Sequence, residues 1–253
     1  MYSDLNGKTI IVTGASQGIG AAIAETYAAA GANVVIHYRT SKASADKVVD
    51  DIANNGGSAV AIPAALNVAD DVDRLFAKAI ESFGNVDVLI NNAGSFPNSA
   101  LIDLELEDWQ KMYSDNVESA FLCTKIFAKT MNGARGGSVV NVASTSALNP
   151  GAEHSHYNSA KAAVVMFTQS AAQELGQFNI RVNAVAPGLV YRPGLEEQWP
   201  DGFNRYCNAA PLSCVVQPED VANACLFLSS GMAARITGAT LPVDAGVLSA
   251  MIY

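Results

Sequence analysis

Short apolar runs alternate with longer alanine-rich segments along the whole chain. The apolar runs lie at residues 9–12, 34–36, 59–62, 86–90, 138–142, 180–185 and near 239–243. The segments of helical character between them lie at residues 21–30, 43–53, 72–83, 106–131, 160–175 and 221–228. Strands that are apolar throughout and separated by helices predict a parallel sheet covered on both faces. The alternation therefore predicts an α/β, Rossmann-type doubly wound fold with seven parallel strands and helices on both faces.

The organisation of the chain favours a single domain over residues 1–253. No internal repeat, low-complexity tract or proline- and glycine-rich linker divides the sequence. Hydrophobic residues make up 50% of it, which is enough for a substantial core. Proline and glycine interrupt only residues 187–211, and a long irregular stretch in a compact domain is usually functional. We expect a substrate-binding loop or lid at about residues 188–213.

Charge and composition exclude several classes of partner. The formal net charge of −9 argues against binding to nucleic acid or to an anionic membrane. The N-terminus lacks the basic and apolar regions of a signal peptide, and no run reaches the roughly eighteen apolar residues of a membrane span. We expect reduced thiols in a cytoplasmic protein, because the four cysteines show no CxxC pair and no metal-ligand spacing: Cys123, Cys207, Cys214 and Cys225.

A glycine-rich segment, residues 13–20, follows the first apolar run and precedes a helical segment. A strand that leads through glycines into a helix directs backbone N–H groups and the helix dipole at one point, where a pyrophosphate is stabilised. Glycine also permits the tight turn and the close approach of backbone to phosphate. The segment predicts dinucleotide binding by Gly14, Ser16, Gln17, Gly18, Ile19 and Gly20.

A tyrosine and a lysine four residues apart, Tyr157 and Lys161, form the most distinctive reactive pair. In a helix these positions share one face, so the ammonium group lies near the phenol. A nearby positive charge lowers the pKa of a tyrosine and makes it a usable general acid/base. The spacing alone is weak evidence, since Tyr38 and Lys42 share it.

Several motifs in register extend this interpretation beyond the pair. In order and spacing they resemble the short-chain dehydrogenase/reductase family, in particular members similar to 3-oxoacyl-acyl-carrier-protein reductases and glucose dehydrogenases. The resemblance covers about residues 7–246. The residues that carry it are the segment 13–20, the run Asn91-Asn92-Ala93-Gly94, Asn116, Ser144, Tyr157, Lys161 and the pair Pro187-Gly188.

The resemblance implies a division of labour among the site residues. Tyr157 is the expected general acid/base, and Lys161 lowers its pKa and hydrogen-bonds the nicotinamide ribose. Ser144 donates a hydrogen bond to the substrate oxygen, where charge develops. Asn116 holds a water that connects Lys161 to solvent. Ser146 is a second candidate for the role of Ser144, although a solvated loop serine is the simpler interpretation of it.

The same resemblance implies further contacts along the cofactor cleft, at the carboxyl ends of the strands. Asn67 stands where the family usually has aspartate against the adenine, and an amide can still bond the exocyclic amine. The expected cleft residues are Asn67, Val68, Asn92, Ala93, Gly94, Pro187, Gly188 and Val190, besides Tyr157 and Lys161.

The end of the second strand bears on cofactor choice. Tyr38 occupies the position where NAD-dependent relatives carry an acid, and Arg39, Thr40 and Ser41 follow it. An arginine with two hydroxyls and no carboxylate suits a 2′-phosphate. We expect NADP(H) to be preferred and NAD(H) to remain possible, although Gln17 stands where many NADP-dependent relatives have a basic residue. Alternatively, Arg39 is an exposed strand-end charge.

The substrate side departs from the family pattern. Arg192 replaces the usual threonine after Pro187-Gly188, and it either anchors an anionic substrate group or lies in solvent, alone or paired with Glu196 or Glu197. Tyr191 and Trp199 fit an apolar lid or simple packing of the loop.

The polar segment before the tyrosine gives a further candidate. His154 is a candidate contact to a polar substrate at the pocket rim. We expect no metal, because His154 and His156 are two residues apart and lack a third ligand.

Together these features predict an NADP(H)-preferring oxidoreductase that reduces a carbonyl of a small molecule to an alcohol. One alternative is an NAD(P)-dependent sugar or polyol dehydrogenase, favoured by Arg192 and the polar residues near His154. The other is a catalytically silent, cofactor-binding scaffold. Residues 221–228 and 238–253 are apolar, and in the family that the chain resembles the last helix and strand form a dimer interface within a tetramer. The resemblance therefore implies self-association into a homotetramer or homodimer, unless these segments are buried within one chain.

Overall fold

A seven-stranded parallel sheet organises the chain. The computed structural model describes residues 3–131 and 136–250. Neighbouring strands pair in parallel in the order β3-β2-β1-β4-β5-β6-β7, which confirms the predicted sheet. The strands are β1 (Thr9–Val12), β2 (Asn33–Tyr38), β3 (Ser58–Pro63), β4 (Val88–Asn91), β5 (Gly137–Val142), β6 (Ile180–Pro187) and β7 (Thr240–Val243).

Helices cover both faces of this sheet, as predicted. One face carries the helices α1, α2 and α9, and the other carries α3, α5 and α6. The helices are α1 (Gly18–Ala29), α2 (Lys42–Asn54), α3 (Ala69–Phe83), α4 (Leu106–Tyr113), α5 (Ser119–Thr130), α6 (Ser155–Leu175), α7 (Leu195–Gln198), α8 (Pro200–Ala209) and α9 (Pro218–Ser229).

The central strands are mostly apolar because both of their faces are buried. Successive side chains of a strand point to opposite faces of the sheet. In β1, Ile10 and Val12 pack into the core beneath α1, α2 and α9, whereas Ile11 packs into the core beneath α3, α5 and α6. All three side chains are fully buried. This two-sided burial explains why the strands lack the alternating pattern of a sheet with one wet face.

The strand order reverses between β1 and β4, which sets the position of the site. From β1 the chain adds β2 and β3 on one side, and it then crosses to add β4 to β7 on the other. In open sheets of this kind, a crevice forms at the carboxyl ends of the strands where the order reverses. The loops after β1 and β4 therefore border the expected cofactor site.

The predicted helix at residues 106–131 is wrong in its middle. It consists of α4, one π-helical turn at Ser114–Glu118, and α5. A π turn adds one residue to the helical repeat, and such turns occur mostly at functional sites. An apolar periodicity spread over 26 residues does not reveal one additional residue.

The predicted irregular stretch at residues 187–211 contains two helices, α7 and α8. Pro200 is the first residue of α8, where the missing N–H group costs nothing, so proline begins this helix rather than breaking it. The base of the segment is fixed by a hydrogen bond from the Tyr191 N–H to the Val216 carbonyl (2.8 Å). The expectation of an irregular loop is therefore wrong in part. The segment contains two short helices, α7 and α8, which we call the helical hairpin, and the hydrogen bond between Tyr191 and Val216 holds its base in place.

The two C-terminal segments differ in burial. In α9, Val221, Cys225 and Leu228 are buried in the core beneath α1, so burial within one chain accounts for most of the apolar character of this helix. Strand β7 lies at the sheet edge and exposes part of Leu241. Residues 251–253 of the predicted terminal segment lie outside the described residues. Within residues 3–131 and 136–250, no helix is both long enough and apolar enough to span a membrane.

The turn after β7 generates a stability prediction. Ala245 has φ +55° and Gly246 has φ +90°, so an alanine occupies the left-handed region that favours glycine. A left-handed backbone destabilises the folded state by about 1–2 kcal/mol for a residue with a Cβ. Glycine avoids this cost, but its greater entropy stabilises the unfolded chain by about 0.4–1 kcal/mol. We expect Ala245→Gly to raise the free energy of unfolding by about 0.5–1 kcal/mol in urea titrations.

Gly246→Ala is the matched control for this substitution. It should lower the free energy of unfolding, because its Cβ would lie 2.9 Å from Pro211 Cγ in a left-handed backbone. A destabilised Ala245→Gly variant would show that Ala245 carries no relievable strain.

Candidate active site

The glycine-rich turn packs directly on the loop that follows β4. Gly14 has φ +62°, and a Cβ there would lie 3.0 Å from Ala93 Cα. A Cβ on Gly20 would lie 2.6 Å from Asn92 Nδ2. The two loops at the crevice are therefore in contact, with room only for glycine between them. The backbone of Gly18, Ile19 and Gly20 begins α1, whose dipole and free N–H groups suit a phosphate.

Hydrogen bonds hold these two loops together. Thr13 Oγ1 accepts from the N–H groups of Asn92 (2.9 Å) and Ala93 (3.0 Å), and donates to the Ile90 carbonyl (3.2 Å). Asn92 Nδ2 donates to the carbonyls of Thr13 (2.9 Å) and Gly14 (3.1 Å). The side chains of Thr13 and Asn92 thus fix the backbone around the crevice. A bound pyrophosphate would meet a preformed surface.

A buried histidine that sequence analysis missed supports the same turn. His37 Nδ1 accepts from the Gly14 N–H (3.0 Å), so Nε2 carries the proton and donates to the Ala64 carbonyl (3.1 Å). Burial lowers the pKa of His37 to about 4, so it is neutral at pH 7. The only indication in the sequence is a histidine inside an apolar strand.

Buried amides connect the sheet to the helix that carries the tyrosine. Asn91 Nδ2 on β4 donates to Asn141 Oδ1 on β5 (2.8 Å). Asn141 Nδ2 donates in turn to Thr168 Oγ1 on α6 (2.9 Å). This chain of contacts fixes α6 against the sheet and thereby positions its first turns.

Tyr157 and Lys161 lie in the first two turns of α6, on one face as their spacing predicts. Lys161 Nζ is 5.7 Å from the centroid of the Tyr157 ring and donates to the Val142 carbonyl at the end of β5 (2.9 Å). Lys161 is 5% exposed, and burial lowers its pKa to about 8. At pH 7 it remains a cation in a poorly solvated place.

Ser144 lies beside Tyr157, directly after β5. Its Oγ accepts from the Ser146 N–H (3.1 Å), so its own proton is available to another acceptor. Burial raises the pKa of Tyr157, and interaction with the Ser144 side chain opposes this effect. The lowering expected from Lys161 is therefore not found: burial raises the pKa of Tyr157, and the opposing effect comes from Ser144. Ser146 contributes its backbone N–H to Ser144 rather than a hydroxyl in its place.

Asn116 lies in the π-helical turn, and Gly94 borders both Asn116 and Lys161. Its Nδ2 donates to the carbonyls of Met112 (3.0 Å) and Ser95 (3.0 Å). Its Oδ1 is buried and has no hydrogen-bond partner among the described residues. A Cβ on Gly94 would collide with this oxygen and lie 3.6 Å from Lys161 Nζ. A buried acceptor of this kind suits an ordered water.

The π-helical turn also reaches the predicted adenosine end of the site. Ser114 Oγ accepts from Asn67 Nδ2 (3.3 Å), one residue before Val68 and the start of α3. The Asp115 carboxylate lies 3.4 Å from Arg39 Nη1. Three successive residues of one turn thus contact three parts of the predicted site.

Arg39, Thr40 and Ser41 are exposed between β2 and the start of α2. Arg39 is 63% exposed, which agrees with the alternative of a strand-end charge, but it forms an ion pair. The partner, Asp115, is 11% exposed and was missed by sequence analysis. An acid next to Asn116 is visible in the sequence, but its contact with a residue 76 positions away is not.

Two aromatic rings lie next to Tyr157. Phe96 meets the Tyr157 ring edge-on with centroids 6.4 Å apart, and His154 does so at 6.2 Å. His154 therefore lies next to Tyr157, and its contact with a substrate stays a prediction. Phe96, which is 68% exposed, was missed, although it lies only two residues after Gly94.

The helical hairpin covers the end of β6. Tyr206 on α8 donates to the Asp244 carbonyl (2.8 Å), and a Cβ on Gly188 would collide with its hydroxyl. Next to this contact, Pro187 ends β6 and Val190 pairs with Val216 in an isolated parallel bridge.

The other predicted substrate residues lie farther out on the hairpin. Tyr191, Arg192 and Trp199 are exposed, and none of their described contacts reaches Tyr157. Within the described part of the chain, Arg192 forms no ion pair, with Glu196, Glu197 or any other acid. Residues 3–131 and 136–250 contain no cluster of three metal-ligating side chains, and all four cysteines are free.

Comparison with known proteins gives consistent results. A family model described as enoyl-(acyl carrier protein) reductase matches residues 14–248. A 3-oxoacyl-[acyl-carrier-protein] reductase of Synechocystis sp. (strain ATCC 27184 / PCC 6803 / Kazusa) is 40% identical over 96% of this chain and 98% of its own. Glucose 1-dehydrogenase 2 of Bacillus subtilis (strain 168) is 36% identical over 98% of this chain and 97% of its own. The solved structure of a 7α-hydroxysteroid dehydrogenase, complexed with NADH and 7-oxo glycochenodeoxycholic acid, is 35% identical in sequence. It superposes with a TM-score of 0.91 and covers 97% of this chain and 96% of its own.

The buried Lys161 generates a prediction that couples stability to pH. Its pKa is about 8 in the folded chain against an ordinary 10.5, so at pH 7 the folded state holds a poorly solvated cation. We expect Lys161→Met to abolish turnover yet raise the free energy of unfolding at pH 7 by about 1–3 kcal/mol.

The pH dependence separates this effect from packing. Between pH 8 and 10.5 the unfolded lysine binds more protons than the folded one, so the stability of the parent chain rises with pH. The advantage of Lys161→Met should therefore shrink by about 1 kcal/mol between pH 7 and pH 9 in urea titrations. A constant difference would mean that Lys161 carries no burial penalty.

Proposed function

Because this chain belongs to the short-chain dehydrogenase/reductase family of oxidoreductases, we propose that it is an NADP(H)-preferring reductase that converts the carbonyl of a small molecule to an alcohol. The nicotinamide dinucleotide, when bound, supplies or accepts the hydride. The observation that carries the proposal is the junction of Ser144, Tyr157, Lys161 and Asn116 at the carboxyl end of β5.

The proposed roles follow from the contacts of each side chain. Tyr157 gives a proton to the carbonyl oxygen during reduction and removes it in the reverse direction. Ser144 has a free proton and polarises that oxygen, which stabilises the charge that develops. The Lys161 cation, next to the phenol, favours the phenolate once the proton has left. The unpaired Asn116 Oδ1 holds a water that returns the proton from solvent.

We propose that residues 3–131 and 136–250 form part of a single cofactor-binding domain, with the glycine-rich turn holding the pyrophosphate. The absence of room for a Cβ on Gly14 and Gly20 supports this placement. At the adenosine end we assign contacts to the backbone and side chains of Asn67, Val68 and residues 39–41. At the nicotinamide end we assign them to residues 92–94, Pro187, Gly188 and Val190. Arg39, in the turn between β2 and α2, supports recognition of a 2′-phosphate.

The substrate side favours a ketone or aldehyde with an apolar body. Phe96 and His154 present ring faces and edges beside Tyr157, and aromatic rings bind flat apolar groups. We propose the segment at about residues 188–213 as a lid, with Tyr206 as its anchor and Tyr191, Arg192 and Trp199 on its exposed side. Ser146 remains a minor substrate-side candidate.

A sugar or polyol dehydrogenase is the second candidate. It is supported by the similarity to glucose 1-dehydrogenase 2 and by the exposed, unpaired guanidinium of Arg192 among the described residues. A silent cofactor-binding scaffold is less well supported, because a buried cation next to a half-buried phenol lowers stability and is accounted for by the proposed chemistry. Free cysteines support a reducing, cytoplasmic location.

The test of the proposed function separates cofactor binding from chemistry. In nicotinamide fluorescence titrations we expect the parent chain to bind NADPH more tightly than NADH, and to reduce members of a panel of ketones and aldehydes. Tyr157→Phe should bind NADPH with a Kd within about threefold, while its turnover falls by about 10²–10⁴-fold, since only proton transfer is removed.

Tyr113→Phe is the matched control, because Tyr113 stacks on Trp109 with centroids 5.5 Å apart and lies outside the proposed machinery. It should leave both Kd and turnover unchanged. Oxidation of sugars without carbonyl reduction would favour the second candidate. Tight NADPH binding without turnover over both panels would favour the scaffold.

Self-association is proposed through the edge strand β7. An exposed strand edge with a partly exposed Leu241 is a surface that another copy can cover. Light scattering after size exclusion should give about two or four times the chain mass of 26.4 kDa. Leu241→Lys should shift the mass toward a smaller assembly, and a monomeric parent chain would contradict the proposal.

A further inference from the structure

We propose that Asp115 is a specificity-determining residue that opposes binding of a 2′-phosphate, so that the Arg39–Asp115 pair, rather than Arg39 alone, sets the discrimination between NADP(H) and NAD(H). This inference rests on the proposed function, because it concerns the adenosine end of the proposed cofactor site. It concerns an acid in the π-helical turn between α4 and α5, not one at the end of β2.

The geometry places this acid within reach of the proposed phosphate-binding cation. Asp115 Oδ1 is 3.4 Å from Arg39 Nη1. Its Oδ2 accepts from Ser95 Oγ (2.9 Å) and Lys111 Nζ (2.7 Å). The carboxylate is 11% exposed whereas Arg39 is 63% exposed, so the acid is fixed and the arginine is mobile in comparison. Only Nη1 of Arg39 contacts Asp115, so a ligand that meets the exposed guanidinium also comes close to this carboxylate.

The charges explain why the pair weakens discrimination. A dianionic 2′-phosphate near Arg39 gains a charge-assisted contact, but it also approaches a carboxylate of like charge and competes for the same guanidinium. A ribose hydroxyl has no such conflict, and it can donate a hydrogen bond to a carboxylate. Asp115 thus compensates in part for the acid that Tyr38 replaces at the end of β2. We therefore expect the parent chain to accept both cofactors with a moderate preference for the phosphorylated one.

The contacts of Asp115 also show that the substitution Asp115→Asn is structurally mild. An amide oxygen can still accept from Ser95 Oγ, and Asn116 Nδ2 independently holds the Ser95 carbonyl (3.0 Å). Lys111 is exposed and lies at i,i−4, so it returns to solvent at little cost. The main change is the loss of one negative charge next to Arg39.

The experiment measures binding of two cofactor fragments, 2′,5′-ADP and 5′-AMP, by calorimetry at low salt. We expect Asp115→Asn to tighten binding of 2′,5′-ADP by about five- to tenfold and to change binding of 5′-AMP by less than about twofold. In an Arg39→Gln background, Asp115→Asn should tighten binding of 2′,5′-ADP less. The change in the logarithm of the affinity should be half as large or smaller, because the two residues act as a pair.

Asp46→Asn is the matched control. Asp46 pairs with Lys42 at 2.6 Å on the nearby first turns of α2, so this variant removes the same charge without touching Arg39. A gain for 2′,5′-ADP in Asp115→Asn no larger than in Asp46→Asn would overturn the inference. Thermal unfolding checks that the variant is folded, and Asp115→Ser, another small neutral side chain, replaces it if it is not.

The two proposals fail in different ways. If the parent chain binds neither fragment, the proposed cofactor site is wrong, and the inference that depends on it is wrong as well. If the parent chain binds 2′,5′-ADP more tightly than 5′-AMP but Asp115→Asn leaves the ratio unchanged, the proposed function stands and only the role of Asp115 is refuted.

Discussion

The π-helical turn Ser114–Glu118 brings together parts of the site that are far apart in sequence. An α-helix repeats every 3.6 residues, so three successive side chains ordinarily point in widely different directions. The wider turn lets Ser114, Asp115 and Asn116 contact Asn67, Arg39 and Ser95 respectively. The predicted adenosine end, the predicted cofactor-choice region and the predicted proton-relay region are thereby attached to one turn. A shift of this turn would disturb all three together.

The site also concentrates polar groups that a stable fold would avoid. Lys161 is a buried cation with only a carbonyl as its hydrogen-bond acceptor, and Asn116 Oδ1 is a buried acceptor without a partner among the described residues. Each lowers stability relative to an apolar side chain of the same size. Such groups persist where their chemistry is used, which is the physical argument against a silent scaffold. Burial raises the pKa of Tyr157, so the phenol stays protonated at neutral pH and can serve as the acid in carbonyl reduction.

Sequence reasoning succeeded where one local pattern determines the structure. Continuous apolar runs specified the parallel sheet, and the spacing of Tyr157 and Lys161 placed both on one face of α6. It failed where the structure depends on one additional residue or on contacts over long separations. Helical periodicity tolerates a π turn, and Pro200 breaks a helix or begins one depending on what precedes it. The pairing of Arg39 with Asp115 required the fold itself.

The two sides of Tyr157 differ in how tightly they are held, and this difference bears on how specific the enzyme can be. On the cofactor side, Thr13, Asn92 and His37 hold their loops through buried or partly buried hydrogen bonds. On the substrate side, Phe96 is largely exposed and Trp199 is about half exposed. Apolar contacts discriminate weakly between substrates of similar size, because each methylene group adds little binding free energy. In the proposed function, the well-held side therefore carries the chemistry, and the exposed aromatic rings constrain the choice of substrate less.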